Sequence, residues 1–262
     1  MENKNDSFNR RKNIKLLSLL SVSLISICTM IPVSVAVAGE SHIELQKAPV
    51  DLSDSTSLQR GAKYFMNLCA SCHSAEYMRY SRLAKDIKIT ETEEKNSEVL
   101  TDLVKTNLMF NTADINSHIK TSMAKNDAAK MFGISPPDLT MVTRVRGADW
   151  VYSYLKSFYT DPKRPWGVNN LVFKDVAMPN VLDNFQGQQD LVDNKLVLTK
   201  QGVYDVEQFD QMVTDITAFL SYAAEPYRAE RINTGVWVLL FLAMFLVFAY
   251  LLKREYWKDV KK

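Results

Sequence analysis

Apolar residues gather at the two ends of the chain and are thinner between them, so the ends organise the reading. Near the N-terminus a basic cluster (Arg10, Arg11, Lys12, Lys15) precedes an apolar run from Leu16 to Ile31, then Pro32 and the small residues Ala36-Val37-Ala38. That order of charge, apolar stretch and small residues is the pattern of a secretory leader and predicts cleavage after Ala38. An uncleaved anchor helix is the alternative, and under either reading the chain behind it is exported. Near the C-terminus, Thr234 to Leu252 reads TGVWVLLFLAMFLVFAYLL without one charge. Nineteen residues at a rise of about 1.5 Å span roughly 28 Å, close to the hydrocarbon thickness of a bilayer. Trp237 and Tyr250 stand near its two ends, where amphipathic rings favour the headgroup region, and Lys253, Arg254, Lys258, Lys261 and Lys262 hold the tail on the cytoplasmic side. The pattern thus predicts a leader over 1–38, a periplasmic domain over 39–229, a transmembrane helix over 230–252 and a cytoplasmic tail over 253–262. The expected location is a bacterial cytoplasmic membrane, crossed once, with the larger domain in the periplasm.

Between the ends the period is mostly helical. Helices are expected near 57–69, 97–110, 147–159 and 206–224. The last shows Phe209, Met212, Val213, Ile216, Phe219 and Leu220 on one stripe, the face of a helix packed on a core. Residues 160–205 read as long loops, with a short hairpin around Leu191–Val203. No segment repeats. The fold class is therefore mainly α, with long loop insertions and one C-terminal transmembrane helix.

Charge narrows the partners. With residues 1–38 and the tail set aside, 22 basic face 26 acidic side chains. A mildly acidic domain disfavours nucleic acid and suits a basic protein partner. The acidic run from Thr90 to Glu98 could serve such docking, although a run of this kind is usually a solvated loop. No nucleophile–base pair, phosphate loop or paired carboxylate stands out, so no catalytic constellation is read.

The cysteines carry the chemistry. Cys28 lies in the leader, which leaves Cys69 and Cys72 inside Cys69-Ala70-Ser71-Cys72-His73. A zinc site needs four ligands, and the exported part adds only His42 and His118. A thioredoxin-like dithiol follows a strand, whereas the stretch before Cys69 reads as helix, and that reading leaves His73 unused. C-x-x-C-H is the attachment pattern of a c-type haem. Two thiols a short turn apart reach the two vinyl groups on one porphyrin edge, and the next residue brings an imidazole beneath the iron. The domain then reads as a c-type cytochrome domain holding one covalent haem c, with His73 as the proximal metal ligand. For the opposite face, Met178 stands in Val176-Ala177-Met178-Pro179-Asn180, a stretch without helical period in which the following proline restricts the backbone. Spacing alone leaves Met178 sharing that role with His118 or an open iron. A methionine there would suit electron transfer, and an open position would suit a peroxidase-like enzyme.

Several stretches in this order resemble the cytochrome c1 family, from about Leu58 to the C-terminus. They are Arg60-Gly61 before CASCH, Pro136-Pro137-Asp138-Leu139, Arg144-Val-Arg146-Gly147-Ala-Asp149-Trp150, Ala177-Met178-Pro179, and Tyr222-Ala-Ala-Glu225-Pro226 before the apolar helix. The resemblance implies the haem subunit of a quinol–cytochrome c oxidoreductase, the cytochrome bc1 complex. It implies Met178 as sixth ligand and Arg144 beside a haem propionate, with Arg146 its nearest competitor. It also implies Pro136 and Pro137 lining the haem crevice, with Asp138-Leu139 starting the helix beyond. Electrons would arrive from a Rieske iron–sulfur subunit beside a cytochrome b and leave to a soluble or membrane-bound cytochrome c. A free-standing membrane-tethered shuttle cytochrome is the alternative. Two departures stand out: the stretch before Met178 lacks the family's glycine-rich form, and Trp150 replaces a common tyrosine.

Overall fold

The structure is a computed structural model, and it describes residues 43–87 and 97–258. The leader, Cys28, His42 and most of the acidic run from Thr90 to Glu98 lie outside the described residues. Among the described residues, nine α-helices and three two-stranded hairpin-like ladders make up the fold.

Helix α1 (Ser55–Tyr64) starts where the Asp54 carboxylate accepts from the Thr56 and Ser57 amides, satisfying donors that a helix start leaves open. It runs into one π turn, Phe65–Cys69. Strand β1 (Ala75–Arg79) pairs antiparallel with β2 (His118–Ile119), and α2 (Tyr80–Asp86), α3 (Ser97–Leu108) and α4 (Lys125–Phe132) lie around them in sequence. Then come α5 (Val142–Val145), α6 (Ala148–Lys156), the β3 (Phe158–Thr160) and β4 (Val168–Asn170) hairpin, and α7 (Asp183–Gln186). The chain closes with the β5 (Gly187–Val192) and β6 (Lys195–Gln201) hairpin, α8 (Val206–Ala224) and α9 (Arg228–Tyr256).

Three expectations needed correction. The helix expected over 147–159 ends at Lys156, because Phe158 to Thr160 pair with Val168 to Asn170 instead. The segment 160–205 is not mostly loop, since it holds this hairpin, α7 and the β5–β6 hairpin. The latter turns at Asp193-Asn194 with φ of 49° and 61°, the two left-handed residues that a two-residue turn needs. The helix beyond Pro137 begins at Val142 rather than at Asp138, whose carboxylate is taken up by the Thr140 amide at 2.9 Å.

The core forms where α1 crosses α8. Helix α8 is capped by a reciprocal pair: the Gln208 amide donates to the Asp205 carboxylate at 2.8 Å, and the Asp205 amide donates to the Gln208 side chain at 3.1 Å. The whole expected stripe of α8 is buried, facing Leu58 and Ala62 of α1 and Phe65 of the π turn, with the Phe65 and Phe219 rings 5.2 Å apart. At the crossing, a Cβ added to Gly61 would stand 2.0 Å from the Asp215 carbonyl oxygen and 2.8 Å from the Phe219 Cβ. The adjoining Asp215 side chain is buried and accepts four hydrogen bonds. They come from Ser57 Oγ (2.7 Å), Arg60 Nε (2.6 Å), Arg60 Nη2 (2.9 Å) and Gln211 Nε2 (2.9 Å). Helix α9 behaves differently. Residues Glu230–Tyr256 have a mean hydropathy of 2.6 and none of the apolar window is buried, so its large side chains face outward all round.

The crossing gives a direct test. Gly61→Ala drives a methyl into backbone, and overpacking of this kind costs about 3 kcal/mol or more. A thermal or urea unfolding curve of the variant should shift accordingly, whereas Gly133→Ala, with open space around its Cβ position, should show only the smaller strain of its left-handed backbone.

Candidate haem-binding site

The π turn at the end of α1 delivers the Cys69–His73 loop. Its widened bond, Ala70 amide to Phe65 carbonyl at 2.9 Å, is followed by Cys72 and His73 amides both donating to the Cys69 carbonyl, at 3.0 and 2.8 Å. No disulfide joins the two sulfurs. Burial and the neighbouring Cys72 push the Cys69 thiol up to about 12, so it is no thiolate at neutral pH and makes a poor redox dithiol.

A second segment clamps the loop. His73 Nδ1 lies 2.8 Å from the Pro137 carbonyl oxygen, a bond that needs the proton on Nδ1 and leaves Nε2 bare. Burial lowers the His73 pKa, with the Pro137 bond and Asp138 opposing, so the ring is kept neutral as a metal ligand requires. The Leu139 amide donates to the Ser74 carbonyl (2.8 Å), and the Glu76 amide donates to the Asp138 carboxylate (2.7 Å). Thr121 adds a third tie, its amide to Ser74 Oγ at 2.9 Å and its hydroxyl to the Ser71 carbonyl at 2.5 Å. Pro137 meets His73 through its carbonyl. His118, the other expected axial candidate, sits in β2 opposite Arg79, and its Nδ1 is buried without a partner among the described residues.

The methionines separate by burial. Met66, Met78, Met109 and Met212 are core residues, which leaves their sulfurs committed to packing. Met178 is partly buried on an irregular stretch, and its sulfur receives the Tyr154 hydroxyl at 3.3 Å. That stretch is held without the family's glycines. Arg164 Nη2 donates to the carbonyls of Asp175 (2.7 Å) and Val176 (3.3 Å), while its Nη1 pairs with the Asp175 carboxylate at 3.2 Å. Asn169 Oδ1 accepts from the Asp175 amide at 2.9 Å, and buried Asn170 Oδ1 accepts from the Val172 and Phe173 amides, each at 3.0 Å. Sequence reading missed Tyr154, Arg164 and the two asparagines. The spacing of Tyr154 four residues after Trp150, on one helix face, was the available signal.

The arginine expected at a propionate is exposed. Arg144 stands on α5 with no side-chain bond or ion pair among the described residues, and Arg146 lies with its guanidinium 5.2 Å from the Trp150 ring centre. The geometry brings Cys69, Cys72, His73 and Pro137 together, and presents Met178 from a separately braced segment. Among the described residues no cluster of three histidine, cysteine or carboxylate side chains could hold a bare metal ion. The donor set instead fits a haem: two thiols beside a neutral imidazole with a free Nε2, and a thioether on another segment. Arg164→Ala should loosen the Met178 stretch, since three backbone or carboxylate acceptors lose their donor. Urea unfolding should register a loss of about 1–3 kcal/mol.

A mainly helical domain, a C-x-x-C-H loop seated on its core and an exposed apolar helix of membrane length define a membrane-anchored cytochrome. The model of the Cytochrome C1 family matches residues 46–260. Cytochrome c1 of Allochromatium vinosum is 48% identical over 237 residues, covering 86% of this chain and 92% of that protein. A protein of Nitrosomonas europaea named ammonia monooxygenase gamma subunit is 42% identical over 228 residues, covering 86% and 93%. A chain of a solved structure, "Hyperthermophilic respiratory Complex III", overlaps 94% of this chain and 98% of its own length, with a TM-score of 0.49 and 16% identity. The chain belongs to the Cytochrome C1 family. It is a membrane-anchored protein, with α9 the one candidate span among the described residues, and it transfers electrons within an oxidoreductase complex, the cytochrome bc1 complex; the free-standing shuttle and peroxidase alternatives lose their ground.

Proposed function

We propose that the chain holds one haem c through thioethers from Cys69 and Cys72, with His73 and Met178 as the axial iron ligands. We further propose that it relays single electrons from a Rieske iron–sulfur subunit, beside cytochrome b, to a cytochrome c. The observation that carries this reading is the bond from His73 Nδ1 to the Pro137 carbonyl at 2.8 Å, which fixes the tautomer whose Nε2 is free to ligate. When bound, the haem supplies a one-electron Fe(III)/Fe(II) couple.

The chain's own residues orient and tune that couple. Pro137 holds the His73 ring by its carbonyl and makes the imidazole a stronger donor. Met178 offers a thioether, a ligand that favours the reduced state and leaves no open position for a substrate. Arg144, exposed and without a side-chain partner among the described residues, has its fork of donors available for a propionate. No residue here is asked to break a bond, so the chain serves as the relay of its complex and carries no catalytic constellation of its own. In this reading the domain lies in the periplasm, behind a leader over 1–38, since the basic residues at and beyond the end of α9 favour the cytoplasmic side.

Three measurements test the reading. Haem should stay with the polypeptide on a denaturing gel, and most of it should leave in a Cys69→Ala, Cys72→Ala double variant. The oxidised protein should show the weak long-wavelength sulfur-to-iron charge-transfer band, and Met178→Ala should abolish it while His118→Ala leaves it in place. Purification in mild detergent should bring a multi-span cytochrome b and an iron–sulfur protein along, and a chain that always purifies alone would sink the proposed partners.

A further inference from the structure

The hydroxyl of Tyr154 is aimed at an unusual partner. Among the described residues its hydrogen bond goes to the sulfur of Met178, at 3.3 Å. A thioether is a weak acceptor, and a phenol with freedom to turn would take water or a carbonyl instead. Tyr154 lacks that freedom. Its ring stacks on Trp150, with centres 5.0 Å apart and planes 9° apart, and meets the Phe158 ring edge-on at 5.3 Å and 71°. Its backbone carbonyl accepts from the buried Asn170 side chain at 2.8 Å. The same Asn170 accepts the Val172 and Phe173 amides on the way to Met178, so one asparagine sets both the tyrosine and the approach to the methionine.

We infer that Tyr154 is a positioning residue that sets the reduction potential of the site, its hydroxyl donating to one lone pair of the Met178 sulfur and leaving the other available to a bound iron. This rests on the proposed role of Met178 as axial ligand. Two effects follow from the geometry. The bond fixes which way the sulfur points, and so holds the ligand in place with no glycine-rich loop to shape the segment. It also draws electron density from the sulfur, which then donates less to the iron. Fe(III) depends on that donation more than Fe(II), so the bond favours the reduced state and raises the potential.

The experiment uses the full chain in its detergent-purified complex, with wild type, Tyr154→Phe and Met178→Ala compared in redox-buffered spectroscopic titrations. Tyr154→Phe removes one oxygen and should keep the charge-transfer band. At a fixed solution potential its reduced-to-oxidised ratio should fall roughly threefold to tenfold, the range expected for losing one hydrogen bond. A ratio unchanged with the band intact overturns the role of Tyr154 and leaves Met178 as ligand. A wild-type protein without the band, or a band that survives Met178→Ala, overturns both. A second measurement does not depend on the variant folding: exchange into D2O should shift the iron–sulfur vibration of the wild type, and a vibration indifferent to exchange also overturns the proposal.

Discussion

The contact on which the rest depends is the crossing of α1 over α8 at Gly61. A side chain at that position would overlap the Asp215 carbonyl, so only glycine lets the two backbones come this close. Close approach alone would bury Asp215 at a cost, because a carboxylate removed from water must recover its hydration from protein donors. It does so through Ser57, Arg60 and Gln211, and the Arg60 side chain keeps 40% of its surface in solvent, so only one partner of the ion pair is fully desolvated. Breaking such a pair from one side is costly even where its net contribution is small. The crossing is therefore fixed by shape and by charge at once. Because α1 ends in the turn that delivers Cys69, and α8 leads directly into α9, both the site and the anchor take their positions from it.

That dependence explains what could be read from the sequence. The α8 stripe was legible because a helix buried along one face writes its period in apolar residues, and every expected position is buried. Arg60-Gly61 was legible as a family likeness, while its reason lay in Asp215, 155 residues away in sequence. The hairpin at Phe158 was misjudged because apolar Phe158 and Tyr159 continue a helical pattern that the ladder with Asn169 and Asn170 interrupts. Local propensity cannot see a partner strand. The turn it needs was nevertheless on the page, in Asp161-Pro162-Lys163-Arg164-Pro165-Trp166-Gly167.

The site was legible in part for a similar reason. Cys69, Cys72 and His73 are contiguous, so their chemistry is written in one short motif. Met178 lies far along the chain, and spacing alone left it sharing the role with His118 or an open iron. Burial in the fold narrows the choice by assigning four other methionines to the core. The arginines show the limit of reading by residue type. Arg144 drew attention because it matches a family position, whereas Arg164, which drew none in the sequence, binds the backbone beside Met178. The missing glycines before Met178 looked like a departure in conformation. The asparagine and arginine side chains supply the same service by a different route, accepting and donating where a glycine-rich loop would rely on its own backbone.

An electron-transfer subunit has to present its site at a set place relative to the membrane, since transfer between fixed partners depends on distance and orientation. The base of this domain is built for that. Arg82 pairs with Asp86 one turn along α2, and the Tyr222 hydroxyl of α8 donates to the same carboxylate at 2.8 Å. Burial, then this bond, raises the Tyr222 pKa and keeps the hydroxyl a donor across the physiological range. The Arg82 guanidinium also lies 3.9 Å from the centre of the Tyr227 ring, just before α9 begins, and Arg231 in the first turn of α9 pairs with Glu225 at 2.6 Å. Individually these are modest contacts, and the exposed pair contributes little. Together they bind the short Glu225-Pro226-Tyr227 link from both sides, so that the anchor continues α8 in place of hanging from a free tether. The order of the haem loop, through α1 and its crossing, is in this way carried down to the helix that enters the bilayer.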